Sequence, residues 1–131
     1  MYRAREKQMP IYYYLPPYHG ELCNANRWVR LADAIDWDGF EKAYSALFAP
    51  GGKVALPARV ALGCRIIQLH YAASDREVVA LVQESPYLQY FLGFESFTDA
   101  VPFSSRTVAR FRARIPDKAV RPAVRLLRSF Q

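Results

Sequence analysis

Apolar residues recur at helical spacing in separate stretches of this chain, divided by proline, glycine and capping residues. The first stretch follows Asn26. Trp28, Leu31, Ala32 and Ile35 fall at i, i+3, i+4 and i+7, one face of a helix with Asn26 placed to cap it. After Asp36, Trp37, Phe40, Tyr44, Leu47 and Phe48 repeat that spacing until Ala49-Pro50-Gly51-Gly52 breaks the chain. Pro57 suits the first turn of a third helix running to about Ala73. Its apolar residues (Val60, Leu62, Cys64, Ile66, Ile67, Leu69) surround much of the circumference, which predicts the central, buried helix. Ser74-Asp75-Arg76-Glu77 is a capping-box pattern opening a fourth helix, with Val78, Leu81 and Val82 facing inward. Ser85-Pro86 starts a short fifth helix from Tyr87 to Leu92, ended by Gly93. Pro102-Phe103-Ser104-Ser105 leads into a sixth, which Pro116 stops. Strand-like alternation and internal repeats are missing. The pattern predicts an all-α fold, a small bundle of five to six helices ending in a basic, helix-turn-helix-like element. Residues 1–26, with prolines at 10, 16 and 17 and five tyrosines, show neither period and are expected to form an extended, flexible leader.

Composition narrows the class. At 131 residues the chain has room for one domain, and 52% hydrophobic with 15% aromatic residues supply a sizeable core. No apolar run approaches the ~18 residues of a membrane-spanning helix. The stretch Met9–Pro17 is too short and proline-broken for a signal-peptide core. Cys23 and Cys64 form neither a disulfide framework nor a metal-binding pair, which fits a reducing cytoplasm.

Charge changes the picture more. Residues 1–99 carry 10 basic and 11 acidic side chains, a net of −1. Residues 100–131 carry 8 basic and 1 acidic, a net of +7, so the whole excess lies in the last quarter. On the sixth helix, counting about 100° per residue from Arg106, Arg110 lies at about 40° and Arg114 at about 80°. Phe111, Ile115 and Val108 fall at about 140° to 200°, and Arg112 flanks them at about 240°. One side is thus an arginine stripe and the other an apolar seam. Arginine neutralises phosphate and grips guanine edges bidentately, so this pattern suits a helix lying in or across a DNA groove. Ser105 and Thr107, near the helix start, are placed to contact a phosphate. No acidic residue stands at i+4 to these arginines, unlike an ordinary salt-bridged surface. An acidic protein, RNA or plain solvent remain alternatives for the stripe.

Other candidates carry less. His19 and His70 lie far apart without partners at ligand spacing, and His70 reads as a helix-end residue favourable to the macrodipole. Asp33, Asp36 and Asp38 surround a helix junction and read as caps. Ser104-Ser105 has no base partner, and phosphate-binding glycine loops and nucleophile elbows are missing.

Several blocks together resemble one family. Residues 28–38 (WVRLADAIDWD), Leu56-Pro57-Ala58-Arg59, Ser74-Asp75-Arg76-Glu77-Val78-Val79 and residues 86–93 (PYLQYFLG) are similar to bacterial insertion-sequence transposases of the insertion-sequence-five type. The last block is Val101-Pro102-Phe103, then Ser104-Ser105-Arg106-Thr107 and Arg110-Phe111-Arg112-Ala113-Arg114. Order and spacing resemble the family's InsH-like N-terminal domain over about residues 27–115. Two departures stand out: Pro-Phe-Ser-Ser-Arg-Thr replaces a Pro-Phe-Asp-x-Ser-Ser pattern, and Phe111 stands where relatives frequently place Trp.

The resemblance implies a DNA-binding module that recognises the terminal inverted repeats of a transposable element during DNA transposition. With the stripe of the sixth helix, this reading places Arg106, Arg110 and Arg114 on the DNA, Arg112 and Lys118 as flanking phosphate contacts, and Ser105 and Thr107 as backbone anchors near the helix start. In such transposases an RNase H-like domain follows, with an Asp-Asp-Glu triad holding two Mg²⁺ ions. On that reading the chain is truncated before its catalytic domain, is not itself an enzyme, and carries no cofactor. Residues 116–131 are then a divergent basic tail left by a frameshift or premature stop. The expected partner is double-stranded DNA in the bacterial cytoplasm, at the nucleoid, with full-length transposase or a second copy as further partners and no membrane. Two other functions fit the same residues: a module that oligomerises with or inhibits an intact transposase, and a helix-turn-helix transcriptional regulator. Trp28, Trp37, Ile67, Leu81 and Phe111 are assigned to core packing.

Overall fold

The computed structural model describes residues 22–45 and 57–130. The described residues form seven α-helices and no strand: α1 (Arg27–Ala34), α2 (Trp37–Ser45), α3 (Ala58–Tyr71), α4 (Asp75–Glu84), α5 (Pro86–Phe91), α6 (Ser105–Arg114) and α7 (Asp117–Ser129). The all-α prediction holds, with one helix more than expected. Most of the expected leader, residues 1–21, lies outside the described residues, as do Leu47, Phe48 and Ala49-Pro50-Gly51-Gly52. The leader's last residues turn into α1, and the Cys23 amide donates to the Tyr87 hydroxyl at 3.1 Å.

Local chemistry sets the helix boundaries. Asn26 Oδ1 accepts from the Trp28 amide at 2.8 Å, and Asp36 Oδ1 from the Gly39 amide at 3.1 Å. The capping box is complete: Ser74 Oγ accepts from the Glu77 amide at 3.1 Å, and the Ser74 amide donates to Glu77 Oε1 at 2.7 Å. Ser104 Oγ accepts from the Thr107 amide at 3.2 Å, opening α6. Side-chain caps of this kind contribute about 1 kcal/mol each by satisfying orphan helix donors. Gly93 ends α5 at φ +91°, with the Gly93 amide donating to Tyr90 O at 2.9 Å and the Phe94 amide to Gln89 O at 3.0 Å.

Helix α3 is the centre, packed against α2, α4, α6 and α7. Every residue from Val60 to Gln68 is buried. At Gly63 a Cβ would run into Leu92 Cδ2, so glycine lets α3 approach the end of α5. Trp28, Ile67 and Phe111 are buried, while Trp37 and Leu81 pack against the core partly exposed. Phe91 joins the two tryptophans, its ring centroid 4.9 Å from Trp28 and 5.5 Å from Trp37. Arg59 fastens this end, donating from Nε to Phe91 O at 2.9 Å and from Nη2 to Tyr90 O at 3.0 Å, with its guanidinium 4.7 Å from the Trp37 centroid.

The stretch after Pro116, expected as a divergent basic tail, forms α7, which buries Val120, Val124 and Leu127 against α3 and α1. Pro122 sits inside this helix without breaking it. Its ring lies on the exposed side, where water can solvate the carbonyl that loses its hydrogen bond. Burial of three aliphatic side chains at ~1.5–3 kcal/mol each offsets the proline's cost of ~3 kcal/mol.

Candidate nucleic-acid interface

Helix α6 is oriented by its apolar seam. Val108, Phe111 and Ile115 are buried in the shared core, with α3 and α4 as the neighbouring helices. The opposite stripe, Arg106, Arg110 and Arg114, is exposed along its length. Thr107 is half-buried, its Oγ1 3.2 Å from Ser104 Oγ, so its hydroxyl takes part in the cap. Ser105 is half-buried and Lys118 exposed at the start of α7. The structure therefore brings Arg106, Arg110 and Arg114 together on one face and sets Lys118 on the next helix.

Arg112 faces elsewhere. Its guanidinium grips Asp75 of α4 bidentately, Nε to Oδ1 at 3.1 Å and Nη2 to Oδ2 at 2.9 Å. A carboxylate three or four residues away is missing, as the sequence indicates, but one arrives from another helix. The expected role of Arg112 as a flanking phosphate contact thus competes with an internal pairing. The Arg112 and Gln68 hydrogen bonds hold the Asp75 carboxyl below the usual range, and Asp75 raises Arg112 in turn.

The pair ends a polar chain through the protein. Gln68 Nε2 donates to Asp75 Oδ1 at 2.8 Å and to Ala73 O at 3.1 Å. Gln68 Oε1 accepts from Arg65 Nη1 at 2.7 Å. Arg65, 3% exposed, also donates to Ile115 O at 2.8 Å and pairs with Asp117. This chain ties α3, α4, α6 and α7 around a cleft of about 430 Å³. Sequence reasoning missed it. The signal was two long polar residues, Arg65 and Gln68, on a helix whose circumference is otherwise apolar.

A second missed residue fixes the approach to α6. Gln89 is fully buried; its Nε2 donates to Val82 O at 2.9 Å and Thr98 O at 2.7 Å, and its Oε1 accepts from the Thr98 amide at 2.9 Å. The irregular residues 92–104 are thereby tied to the α4–α5 junction. That connection is too long for a helix-turn-helix turn of about 3–4 residues. The tight link of α6 is forward, through Ile115-Pro116 to α7.

His70 also departs from expectation. Burial, together with Arg27 and Arg128, holds its imidazole below the ordinary value, so the charged form favoured by a helix dipole is the disfavoured one here. Its Nδ1 is buried without a hydrogen-bond partner.

Residues 17–114 match the transposase domain DUF772. The chain belongs to that family. The matched segment carries α1 to α6 and stops at the last residue of α6, so α7 lies past it. A curated relative, the uncharacterized protein ORF8 in nfe locus of Rhizobium meliloti, is 37% identical over 87 residues, 66% of this chain and 42% of the relative. The chain thus spans less than half of that relative's length. No solved structure matches it.

A transposase domain is all that is identified; no catalytic domain is detected. Among the described residues no group of three or more His, Cys, Asp or Glu is placed to hold a metal ion. No helix among the described residues is long and apolar enough to cross a membrane.

Proposed function

We propose that this transposase domain binds duplex DNA and recognises the terminal inverted repeats of an element of the insertion-sequence-five type. The observation that carries this reading is the exposed stripe of α6. Its guanidiniums stand on a helix whose other side is fixed in the core, which gives a rigid platform for groove and phosphate contacts. Arg106 and Arg110 make no hydrogen bond or ion pair with any described residue. They are the primary contacts, and Arg114 continues the row. Ser105 anchors a phosphate near the helix start, with Lys118 on the flank, and Thr107 joins only if the contact draws its hydroxyl from Ser104. Arg112 joins only if the contact draws it from Asp75. Strand cleavage and joining, with their Mg²⁺ requirement, belong to a catalytic domain not among these residues.

The test is a fluorescence-anisotropy titration against inverted-repeat duplex from an intact related element and against scrambled duplex of equal length. Tighter binding to the repeat is expected. Arg106→Gln with Arg110→Gln should weaken binding and lower the slope of log K against log salt by up to ~0.9 per lost phosphate contact. Equal affinity for both duplexes would remove element-end recognition. An unchanged salt slope in the double variant would remove α6 as the contact.

A further inference from the structure

We propose that α7, with the arginines of α1, forms a second DNA-contacting face that tracks phosphates without reading sequence. This rests on the reading of the domain as a DNA binder but uses residues outside α6, those of α7 lying past the family match as well.

The face follows from the periodicity of α7. At about 100° per residue, Lys118, Arg121, Arg125 and Arg128 fall within an arc of about 80°. That arc lies beside the seam of Val120, Val124 and Leu127, which fixes the helix in the core. All four cations are exposed. At about 1.5 Å per residue they run for about 15 Å along the axis, a length over which duplex DNA presents about nine phosphate charges.

Helix α1 extends the patch. It packs against α7, with the Arg30 guanidinium 4.2 Å above the Phe130 ring. Arg27 Nη2 lies 3.5 Å from the Tyr71 hydroxyl, and Arg128 Nη2 lies 3.4 Å from His70 O, at the neighbouring end of α3. None of these six cations is in an ion pair among the described residues. The nearest carboxylate in sequence, Asp117, is committed to Arg65.

The shape of the face selects its partner. The apolar seam of α7 is consumed by the core, so no apolar side remains to enter a lipid surface. Aromatic anchors of the kind that centre a protein interface are missing from the exposed arc of α7; Leu126, 40% exposed, falls about 80° beyond it, and Tyr71, 40% exposed, stands beside Arg27 of α1. What remains is a row of guanidiniums and one ammonium, suited to a regular polyanion.

The experiment compares the whole chain with a double variant, Arg121→Gln with Arg125→Gln, on a scrambled duplex across a salt series. Both positions are exposed and make no hydrogen bond with a described residue, and thermal unfolding by circular dichroism checks the fold. Arg125→Gln alone serves if the double variant unfolds. The expected result is a salt slope lower by up to ~0.9 for each lost contact, with the preference for inverted repeats over scrambled duplex retained. Duplex binding with an undiminished slope would overturn this inference alone, leaving α6 as the DNA contact. Absence of duplex binding by the unaltered chain would overturn the DNA reading and this inference with it. Competition by poly-glutamate as effective as by unlabelled duplex at equal charge would assign the face to an acidic protein. Undiminished capture on phosphatidylserine vesicles with no duplex binding would assign it to a lipid surface.

Discussion

Helices α6 and α7 carry four cationic side chains each, yet the fold treats the two sets differently. In α6, Arg112 is taken up by Asp75, and the remaining three arginines form the outward stripe. In α7, the four cations share one exposed arc, and its acidic residue, Asp117, is drawn off to Arg65. A charge count gives both helices similar weight. The tertiary structure removes a cation from α6 and an anion from the neighbourhood of α7, so outward charge depends on what the neighbouring helices supply. The two helices also differ in anchorage. α6 buries Val108 and Phe111, whereas α7 buries Val120, Val124 and Leu127.

The sharpest way to break this contrast is to attack the anchorage of α7. Leu127→Ala should destabilise the fold by about 2–5 kcal/mol, the range for a fully buried leucine. Urea unfolding checks this; a loss below about 1 kcal/mol would return α7 to the status of an appended tail. Arg65→Met comes next. It strands the Ile115 carbonyl and Gln68 Oε1, while Asp117, half exposed, is left to water, and should cost about 1–3 kcal/mol, the range for buried acceptors left without a donor. A midpoint matching the unaltered chain would show that the polar chain holds nothing together.

A smaller effect is expected from Asp75→Asn, which releases Arg112. α6 then presents four cations, and the salt slope for duplex binding should steepen by up to ~0.9. An unchanged slope would leave Arg112 outside the interface even when unpaired.

The smallest effect is in acid stability, where each helix has its own reporter. Asp75 is held below its ordinary value by Arg112 and Gln68, so its contribution is present above about pH 4 and is lost as pH falls through the lower folded value. His70, beside Arg128 of α7, is also lowered. Its neutral form favours the folded state above about pH 6.5, and this contribution is lost as pH falls below that value. His70→Phe should therefore flatten the melting-temperature profile between pH 7.5 and 5.5, while Asp75→Asn should flatten it only in stronger acid. A His70→Phe profile parallel to that of the unaltered chain would refute the assignment.

Much of the fold was legible because its signals are local. Asn26, Ser74 with Glu77, Ser104 and Gly93 act within a few residues of themselves, and each marks a helix boundary as predicted. The apolar seam of α6 was readable for the same reason, since one helix turn contains it. α7 was not, because Pro116 and Pro122 are breaker signals in isolation and only the burial of Val120, Val124 and Leu127 overrides them. The pairing of Arg112 was invisible because Asp75 is 37 residues away. The role of Arg65 was invisible as well, since nothing local indicates that Ile115 and Asp117 receive it.

Gln89 has a consequence for timescale. The Thr98 amide donates into a fully buried side-chain carbonyl, although it belongs to an irregular segment where exchange with solvent is ordinarily fast. Its hydrogen should exchange at a rate close to that of the helix cores, marking residues 92–104 as part of the same cooperative unit. The span leading into α6 then opens with the whole domain, and the arginine stripe reaches a ligand already in place.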